Sequence, residues 1–481
     1  MEEKSLKDKT FSGLSWSFLD KIFQNGFVLV AGILLARMIN KDEFGLIGAL
    51  AIFTAVANIL HESGFSTALI RKKEVTPSDY TTVFCINVSI GVFLYLLLFF
   101  LAPLISNFNE NEIFTPLSRF LFLSFLFNSF AVIQNAKLIK EINYKLITKI
   151  NATAIFVSYS VALILALFGF GVWALASQVV LWTFLKMCGL WIFSKWRPSG
   201  SFSMESFKDL FSFSSKLLLG SLLNAVMANL PQSLIAKIYS WDVGGLYNQA
   251  SKNYNSANDL LNGSVYNVSF PILSTIHDEV KLKSAFRKFI RIKALIIFPM
   301  FMGMALVARP FIYLLGEQWN DAVPILQLLC FGGLFAGLET ANGDILRIKG
   351  KSGKILALTI FQGIFILCAI AIPYFFNLHY LFYIGGLSFS YFIRYVVSCM
   401  ISNKLIGYKI FELVKDLFPY FVISLLCIVC GYLLKYLIFN SIILLISQVV
   451  FVGILYIGIV YYSGSKILNE AVEYIKKKPV R

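Results

Sequence analysis

The sequence predicts an all-α, polytopic membrane protein of about 14 transmembrane helices. Two six-helix bundles related by pseudo-twofold symmetry are expected, followed by two extra C-terminal helices. Three observations predict this class: the composition, the recurring apolar segments and an internal repeat. The chain is 58% hydrophobic and 14% charged over 481 residues, whereas soluble domains carry about 25% charged residues.

Fourteen apolar segments follow one another, each near the 20 residues that cross about 30 Å of hydrocarbon. They are continuous rather than alternating, which predicts helices and not a barrel. The first is too long for a signal-peptide core and is expected to remain a transmembrane helix. In chain order the segments cover residues 14–37, 44–61, 80–105, 116–136, 150–169, 172–194, 209–238, 245–273, 289–308, 322–346, 355–376, 380–402, 416–435 and 440–462.

An internal repeat relates the two halves of the chain. Leu34–Gly48 reads LLARMINKDEFGLIG, and Leu234–Asn248 reads LIAKIYSWDVGGLYN. Downstream prolines align at offsets of 207 and 208: Pro103 with Pro310, and Pro116 with Pro324. Two copies of one six-helix unit would enter the membrane in the same direction, and chance similarity between apolar helix ends is the alternative. We expect a bundle at 1–200, a second at 201–410, and two additional helices with a basic tail at 411–481.

Basic residues concentrate in alternate loops. With the N-terminus in the cytoplasm, the segments on that side hold 31 of the 42 Lys and Arg residues, Lys293 among them, and the other side holds Lys41, Arg309 and Lys435. The positive-inside rule therefore predicts that both termini are cytoplasmic. The net charge of +16 reflects this topology and contact with anionic headgroups rather than binding to nucleic acid.

Several kinds of chemistry are not expected. The soluble segments are too short for an enzyme domain, and the sequence has no G-x-x-x-x-G-K-[ST] loop for ATP hydrolysis. The seven cysteines lie in predicted spans, and the three histidines lack the spacing of metal ligands. The sequence thus predicts a protein that is not an enzyme and that has no cofactor, metal or nucleic-acid partner.

A polar stripe runs along the eighth segment. Asn248, Lys252, Asn255, Asp259 and Asn262 are spaced by four, three, four and three residues, so they share one helix face. Hydrocarbon would not tolerate this face, which is therefore expected to point into the protein. A polar seam packed against other helices is one interpretation, and a hydrated transport cavity is the other. The ionisable Lys252 and Asp259 favour the cavity.

Further polar residues lie in the first and seventh segments: Asp20, Lys21 and Gln24 in the first, and Lys216 and Asn224 in the seventh. At about 1.5 Å per residue, Lys21 and Lys216 lie about 10 Å from the cytoplasmic helix ends. Their ammonium groups suit a diphosphate, with Asp20 and Asp259 balancing the charge when the site is empty or binding the coupling ion. Snorkelling of both lysines to the headgroups is the alternative. Lys186 and Arg394 are expected to pack or snorkel, and Glu339 and Asp344 to pair with Arg347.

Several stretches resemble one family of exporters. Ser12–Lys73, FGVWALASQVV at Phe170–Val180 and GLYNQASKNYNSANDLLNGSVYNVSFPILSTI at Gly245–Ile276 are similar to the lipopolysaccharide and capsule flippases (Wzx type) of the multidrug/oligosaccharidyl-lipid/polysaccharide (MOP) exporter superfamily. The resemblance implies alternating access and export of an undecaprenyl-diphosphate-linked oligosaccharide from the inner to the outer leaflet for surface polysaccharide biosynthesis. It also implies a bacterial inner-membrane protein, functional as a monomer, with membrane lipids and a coupling ion (proton or sodium) as partners.

Two other functions stay open at this point. A multidrug or metabolite exporter of the same superfamily is the first, although the two helices after the repeat favour the lipid-linked sugar branch. A non-transporting membrane assembly protein is the second. A wide cationic cavity favours the flippase, a small apolar pocket with one buried carboxylate favours the drug exporter, and a tightly packed interior favours the assembly protein.

Overall fold

The structure is a computed structural model that describes residues 26–62, 69, 75–141, 143–194, 196–276 and 278–463. Within the helices, the side chains of residues 60–62, 206, 209–221, 259–271 and 352 lie outside the described set. All regular elements in the described ranges are α-helices or short 3-10 turns. Residue contacts divide the chain into two units, Met1–Gly245 and Leu246–Arg481.

The first unit contains nine helices among its described residues and the start of a tenth. They are α1 (Gly26–Met38), α2 (Lys41–Ala49), α3 (Ala51–Glu62), α4 (Pro77–Asn109), α5 (Phe114–Leu121), α6 (Leu123–Lys140), α7 (Tyr144–Leu167), α8 (Val172–Phe193), α9 (Met204–Ile238) and the first residues of α10 (Trp241–Ser274).

The second unit contains the rest of α10 and six more helices. They are α11 (Glu279–Tyr313), α12 (Ala322–Ile348), α13 (Ser352–Phe375), α14 (Tyr380–Ile406), α15 (Ile410–Leu433) and α16 (Ser441–Tyr462), with 3-10 turns at Glu317–Trp319 and Leu434–Tyr436.

The helices confirm the predicted all-α, multi-pass membrane fold. In the described part of the chain, ten spans are long and apolar enough to cross a membrane, α5 and α6 together forming one of them. The pair α2–α3 would add an eleventh, bent by 41°. The shorter α1 and the long, more polar α9 and α10 occupy the other predicted segments, so the described part of each of the fourteen segments coincides with a helix or a helix pair.

The helix boundaries follow the sequence repeat. Helix α1 ends at Met38 and α2 begins at Lys41, while α9 ends at Ile238 and α10 begins at Trp241, an offset of 200. Helices α5 and α12 begin 208 residues apart, and each has proline at its third position. The same local sequence features therefore mark where helices begin and end in both copies of the repeat. The domain limits expected from the repeat remain a prediction, since the two units divide within α10.

Two repeat-related glycines touch within the first unit. A Cβ on Gly45 would lie 2.1 Å from the carbonyl oxygen of Trp241, and a Cβ on Gly245 would lie 1.7 Å from that of Lys41. The backbones of α2 and α10 therefore meet directly, in a contact that small residues make possible between membrane helices. Beside them Lys41 Nζ lies 3.2 Å from Asp242 Oδ2.

A glycine turn joins α7 to α8. Gly169 and Gly171 have φ of 78° and 49°, which residues with a Cβ rarely adopt. A Cβ on Gly171 would also lie 1.8 Å from Glu43 Oε1. That carboxylate accepts the N–H of Asn40 at 3.3 Å and the N–H of Val172, so it caps α2 and α8 together.

An ion cluster attaches α15 to α11 in the second unit. The Asp416 side chain is only 2% exposed; it accepts from Arg287 Nε at 2.7 Å and from Arg291 Nε at 2.8 Å. The Tyr408 hydroxyl donates to the same carboxylate at 2.7 Å. Burial, together with this hydrogen bond, raises the pKa of Tyr408, so the phenol remains a donor at neutral pH. Two arginines and one phenol thus satisfy a buried carboxylate.

Candidate functional site

Helix α10 carries the predicted polar stripe on one unbroken helix from Trp241 to Ser274. The side chains of Lys252 and Asn255 are exposed, and that of Asn248 is half-buried. Ser256 is also exposed and donates to the carbonyl oxygen of Lys252 at 2.9 Å. The described part of this face is therefore polar and open.

The opposite face of α10 is packed. Tyr247 and Tyr254 are 7% and 8% exposed, and Ala250 is fully buried. The Tyr254 ring lies 5.7 Å from that of Phe301, and a Cβ on Gly333 would lie 2.7 Å from Tyr254 Cε2. Burial of this aromatic face fixes the rotation of the helix and holds the polar face on the side away from that packing.

The chemistry of the open face suits a charged, hydroxyl-rich molecule. An amide offers two donors and one acceptor, which match sugar hydroxyl groups, and an ammonium group offers three donors to a phosphate. An exposed lysine between two asparagines cannot face hydrocarbon without a large cost. Among the described residues of this face, Lys252 supplies the one positive charge.

Helix α9 belongs to the first unit. Its polar residues differ in exposure and in hydrogen bonding. Asn224 is exposed, whereas Asn229 Nδ2 donates to the carbonyl oxygen of Ala225 at 2.9 Å within its own helix. The helix continues through Pro231. Ser233 Oγ then accepts the N–H of Ile52 at 3.1 Å, which satisfies a donor at the start of α3.

Other predicted site residues lie outside the described set. Asp20, Lys21 and Gln24 precede Gly26, the first residue that the structure describes. Lys216 occupies a position on α9, and Asp259 and Asn262 occupy positions on α10, but their side chains are outside the described part. Their roles stay predictions.

The second unit also contains an ionisable network that the sequence did not reveal. The positive-inside count places Lys293 in a cytoplasmic segment, but the structure buries it within α11, 3% exposed, where its ammonium group donates to Thr340 Oγ1. Arg394 Nε donates to Glu339 at 3.2 Å, and its Nη1 donates to Gln362 at 2.7 Å. The position of Arg394 inside an apolar span was the available signal.

One expected pair in this region is present and another is not. Arg347 Nη1 lies 3.0 Å from Asp344 Oδ1, as predicted, whereas Glu339 pairs with Arg394 instead. The reason is helical register: Asp344 is three residues from Arg347 and shares its face, while Glu339 is eight residues away. Among the described residues, no three His, Cys, Asp or Glu side chains are grouped closely enough to hold a metal ion.

Comparison with known sequences identifies related proteins. A family model described as "Polysaccharide biosynthesis protein" matches residues 34–324. The chain is 29% identical over 379 residues to the lipopolysaccharide biosynthesis protein WzxC of Escherichia coli (strain K12), a match covering 76% of each chain. It is 28% identical over 352 residues to the teichuronic acid biosynthesis protein TuaB of Bacillus subtilis (strain 168), covering 72% of this chain and 73% of that relative.

Comparison with solved structures concerns the fold. The lipid II flippase MurJ in an inward closed conformation aligns with a TM-score of 0.76 at 14% identity, covering 94% of this chain and 99% of that one. A multidrug resistance MATE family transporter of the MOP superfamily, in an inward-facing conformation, aligns with a TM-score of 0.61 at 16% identity, covering 80% and 94%. The chain has the fold of these transporters, and the resemblance stated from the sequence is confirmed.

Proposed function

Because the chain belongs to the polysaccharide biosynthesis protein family, we propose that it is a secondary transporter that flips an undecaprenyl-diphosphate-linked oligosaccharide from the inner to the outer leaflet for surface polysaccharide biosynthesis. The bacterial inner membrane is its expected location, with both termini in the cytoplasm. The proposal describes a transporter and not an enzyme.

The polar face of α10 is the observation that carries this proposal. It presents Asn248, Lys252 and Asn255 on a helix whose other face is packed by Tyr247 and Tyr254. A sugar with a diphosphate needs hydrogen-bonding groups and a cation along its path, since bare polar groups in hydrocarbon cost several kcal/mol each. The names of the relatives, which concern lipopolysaccharide and teichuronic acid biosynthesis, support the same substrate class.

The lysines would supply the headgroup site. In this proposal Lys21 and Lys216 bind the diphosphate near the inner side, and Lys252 binds it further along the path. Asp20 and Asp259 balance their charge in the empty state. The amides Gln24, Asn224, Asn248, Asn255 and Asn262 bind the sugars. Lysine suits this task because its ammonium group binds phosphate as a point charge without fixed bidentate geometry.

Alternating access would move the headgroup past the hydrocarbon. A proton or sodium gradient, or the membrane potential, would drive the cycle, since a unit charge moved across 100 mV gains about 2.3 kcal/mol. A monomer with membrane lipids around it suffices for this mechanism. The alternative function, export of drugs or metabolites, rests on the fold shared with the MATE transporter.

Depletion of the protein tests the proposal. We expect lipid-linked oligosaccharide to accumulate on the cytoplasmic leaflet of depleted cells, measured by leaflet-selective lectin labelling of inside-out and right-side-out vesicles. Re-expression of the wild-type chain should restore the outer-leaflet pool. Normal glycan distribution combined with new sensitivity to cationic drugs would reject the flippase and favour the exporter.

A further inference from the structure

A long apolar cleft lies on the surface of the second unit. Its volume is about 750 Å³, within the range of about 300–1,000 Å³ that ligand pockets occupy. Helix α11 forms its floor, where Phe298, Met302 and Ala305 line it. Walls come from α12 and α15, where Phe331 and Phe418 are 46% and 59% exposed and leave the cleft open to its surroundings.

The cleft is longer than one leaflet is deep. Its lining runs along α15 from Leu413 to Tyr432 and along α11 from Phe298 to Leu306, about 28 Å and about 12 Å at the helical rise. Half of a hydrocarbon core of about 30 Å is about 15 Å. The cleft is therefore long enough for an acyl chain of one leaflet, and its lining is almost entirely apolar.

Two basic side chains lie at one end of the cleft. Arg291 precedes Phe298 by seven residues on the same face of α11, a distance of about 10 Å. It is 37% exposed although it also binds Asp416. On α15, Lys415 is exposed and directly follows Val414, which lines the cleft, on the adjoining part of the helix surface. The positive-inside pattern assigns this end to the cytoplasm.

We propose that this cleft is a binding site for an anionic phospholipid of the inner leaflet. One acyl chain enters the groove beside Val414 on α15 and continues toward Phe298 on α11, and the phosphate lies at Lys415 and Arg291. Basic pockets between membrane helices on the cytoplasmic side recognise such headgroups. Since α15 forms one wall and also supplies Lys415, the helices beyond the repeat create a lipid site that the repeated unit alone lacks.

Charge complementarity decides between phospholipid classes. A zwitterionic phospholipid fills the groove with the same chain, but its headgroup has no net charge to match the basic end. An anionic headgroup gains the attraction of each nearby cation. The site is thus expected to select by headgroup charge and to retain lipid by the apolar groove.

Native mass spectrometry of the purified, delipidated full chain tests the site. Phosphatidylglycerol and phosphatidylethanolamine with identical acyl chains are titrated separately, and bound lipids are counted per protein. Phosphatidylglycerol should bind about tenfold more tightly. Lys415→Gln should weaken it about fivefold, the value of one surface cation. Ala305→Trp, which fills the groove, should remove the tight site.

Matched variants serve as controls. Met304→Trp places the same bulk on α11 in a separate apolar cleft that α16 borders, and Lys354→Gln removes an exposed lysine at the start of α13. Neither should change phosphatidylglycerol binding. If Ala305→Trp fails to fold, the comparison of Lys415→Gln with Lys354→Gln decides.

Three results would overturn the proposal. Equal binding of the two phospholipids removes the selectivity, and unchanged binding by a folded Ala305→Trp variant places the lipid elsewhere. Displacement of phosphatidylglycerol by a polyprenyl diphosphate at equal or lower concentration assigns the groove to the tail of a transported lipid instead.

Discussion

Lys252 is the residue whose charge bears most directly on transport. It is exposed on the open face of α10, and its ammonium group is expected to meet phosphate. Lys252→Gln should lower export at least tenfold, because a hydrogen bond to a charged group contributes about 1.5–3 kcal/mol. Lys252→Arg should retain part of the activity, since it keeps the charge with different geometry. Export of lipid-linked oligosaccharide at matched protein levels is the measurement.

The control for this charge is Lys186, whose ammonium group lies 5.5 Å from the centre of the Trp182 ring in α8. Lys186→Gln removes the same charge from a span without the polar stripe and should leave export near the wild-type rate. Equal loss in both variants, or no loss in either, would mean that Lys252 does not contact the transported headgroup.

Glycine is required at positions 45 and 245 because the backbones of α2 and α10 are in direct contact there. Alanine at either position places a Cβ about 2 Å from a carbonyl oxygen of the other helix. Each substitution should lower the free energy of unfolding by about 1–3 kcal/mol, the usual cost of overpacking. Gly458→Ala, where no atom lies within 4 Å of the added Cβ, should be neutral or slightly stabilising. Thermal unfolding of the purified variants measures this, and equal stability of all three would contradict it.

At the scale of helices, Asp416 joins α15 to α11. Asp416→Asn should lower the free energy of unfolding by about 1–3 kcal/mol, less than the 3–5 kcal/mol of a fully buried pair, because Arg287 and Arg291 are 26% and 37% exposed. The control is Glu279→Gln, which breaks an exposed pair with Lys349 and should cost below about 1 kcal/mol. Similar thermal stability of both variants would show that the cluster does not hold the helix.

The turn after α4 should respond to pH. Lys237 at the end of α9 donates to Glu110, which lowers the pKa of that carboxyl below its usual 4.5. A depressed folded-state pKa adds stability above the unfolded value, and this stability is lost as pH falls through the folded value. Wild type should therefore exceed Glu110→Gln in thermal stability at pH 7, and the difference should shrink below about pH 4.5. An equal difference between the two proteins at both pH values would contradict this role of the pair.

The positions of the helices were predictable because the hydrocarbon core sets both the length and the apolar character of each spanning segment. The described part of each apolar segment coincides with helical structure, and the repeated motifs start α2 and α10 at equivalent residues, Lys41 and Trp241. The bend between α2 and α3 was not predictable. There Ile52 N–H donates to Ser233 Oγ on α9, 181 residues away, and no local pattern shows such a partner.

The candidate site was predictable in part for the same reason. Spacing alone placed Asn248, Lys252 and Asn255 on one helical face, because they share a helix. Lys293 was counted with the cytoplasmic charges because the positive-inside rule considers charges near segment ends and not contacts between helices, such as that with Thr340. Partners on other helices depend on packing, which the sequence of one segment does not contain.

The orientation of the protein in the membrane is a property of the whole molecule. It can be tested by labelling residues at the two ends of α13. Asn377 follows α13 and Lys351 precedes it. In a cysteine-free background, a membrane-impermeant thiol reagent applied to intact cells should label Asn377→Cys and should label Lys351→Cys only after the membrane is permeabilised. The reverse pattern would place the basic loops outside and remove the cytoplasmic assignment of both termini.

The ion cluster around Asp416 has a consequence for biogenesis. Arg291 leaves the ribosome 125 residues before its carboxylate partner, and at about 5–20 residues per second this interval is about 6–25 s. Throughout that interval the start of α11 carries unmatched arginines, which must stay in contact with water, headgroups or the insertion machinery. A nascent chain arrested before Ile410 should therefore remain bound to that machinery, and release should require synthesis of α15.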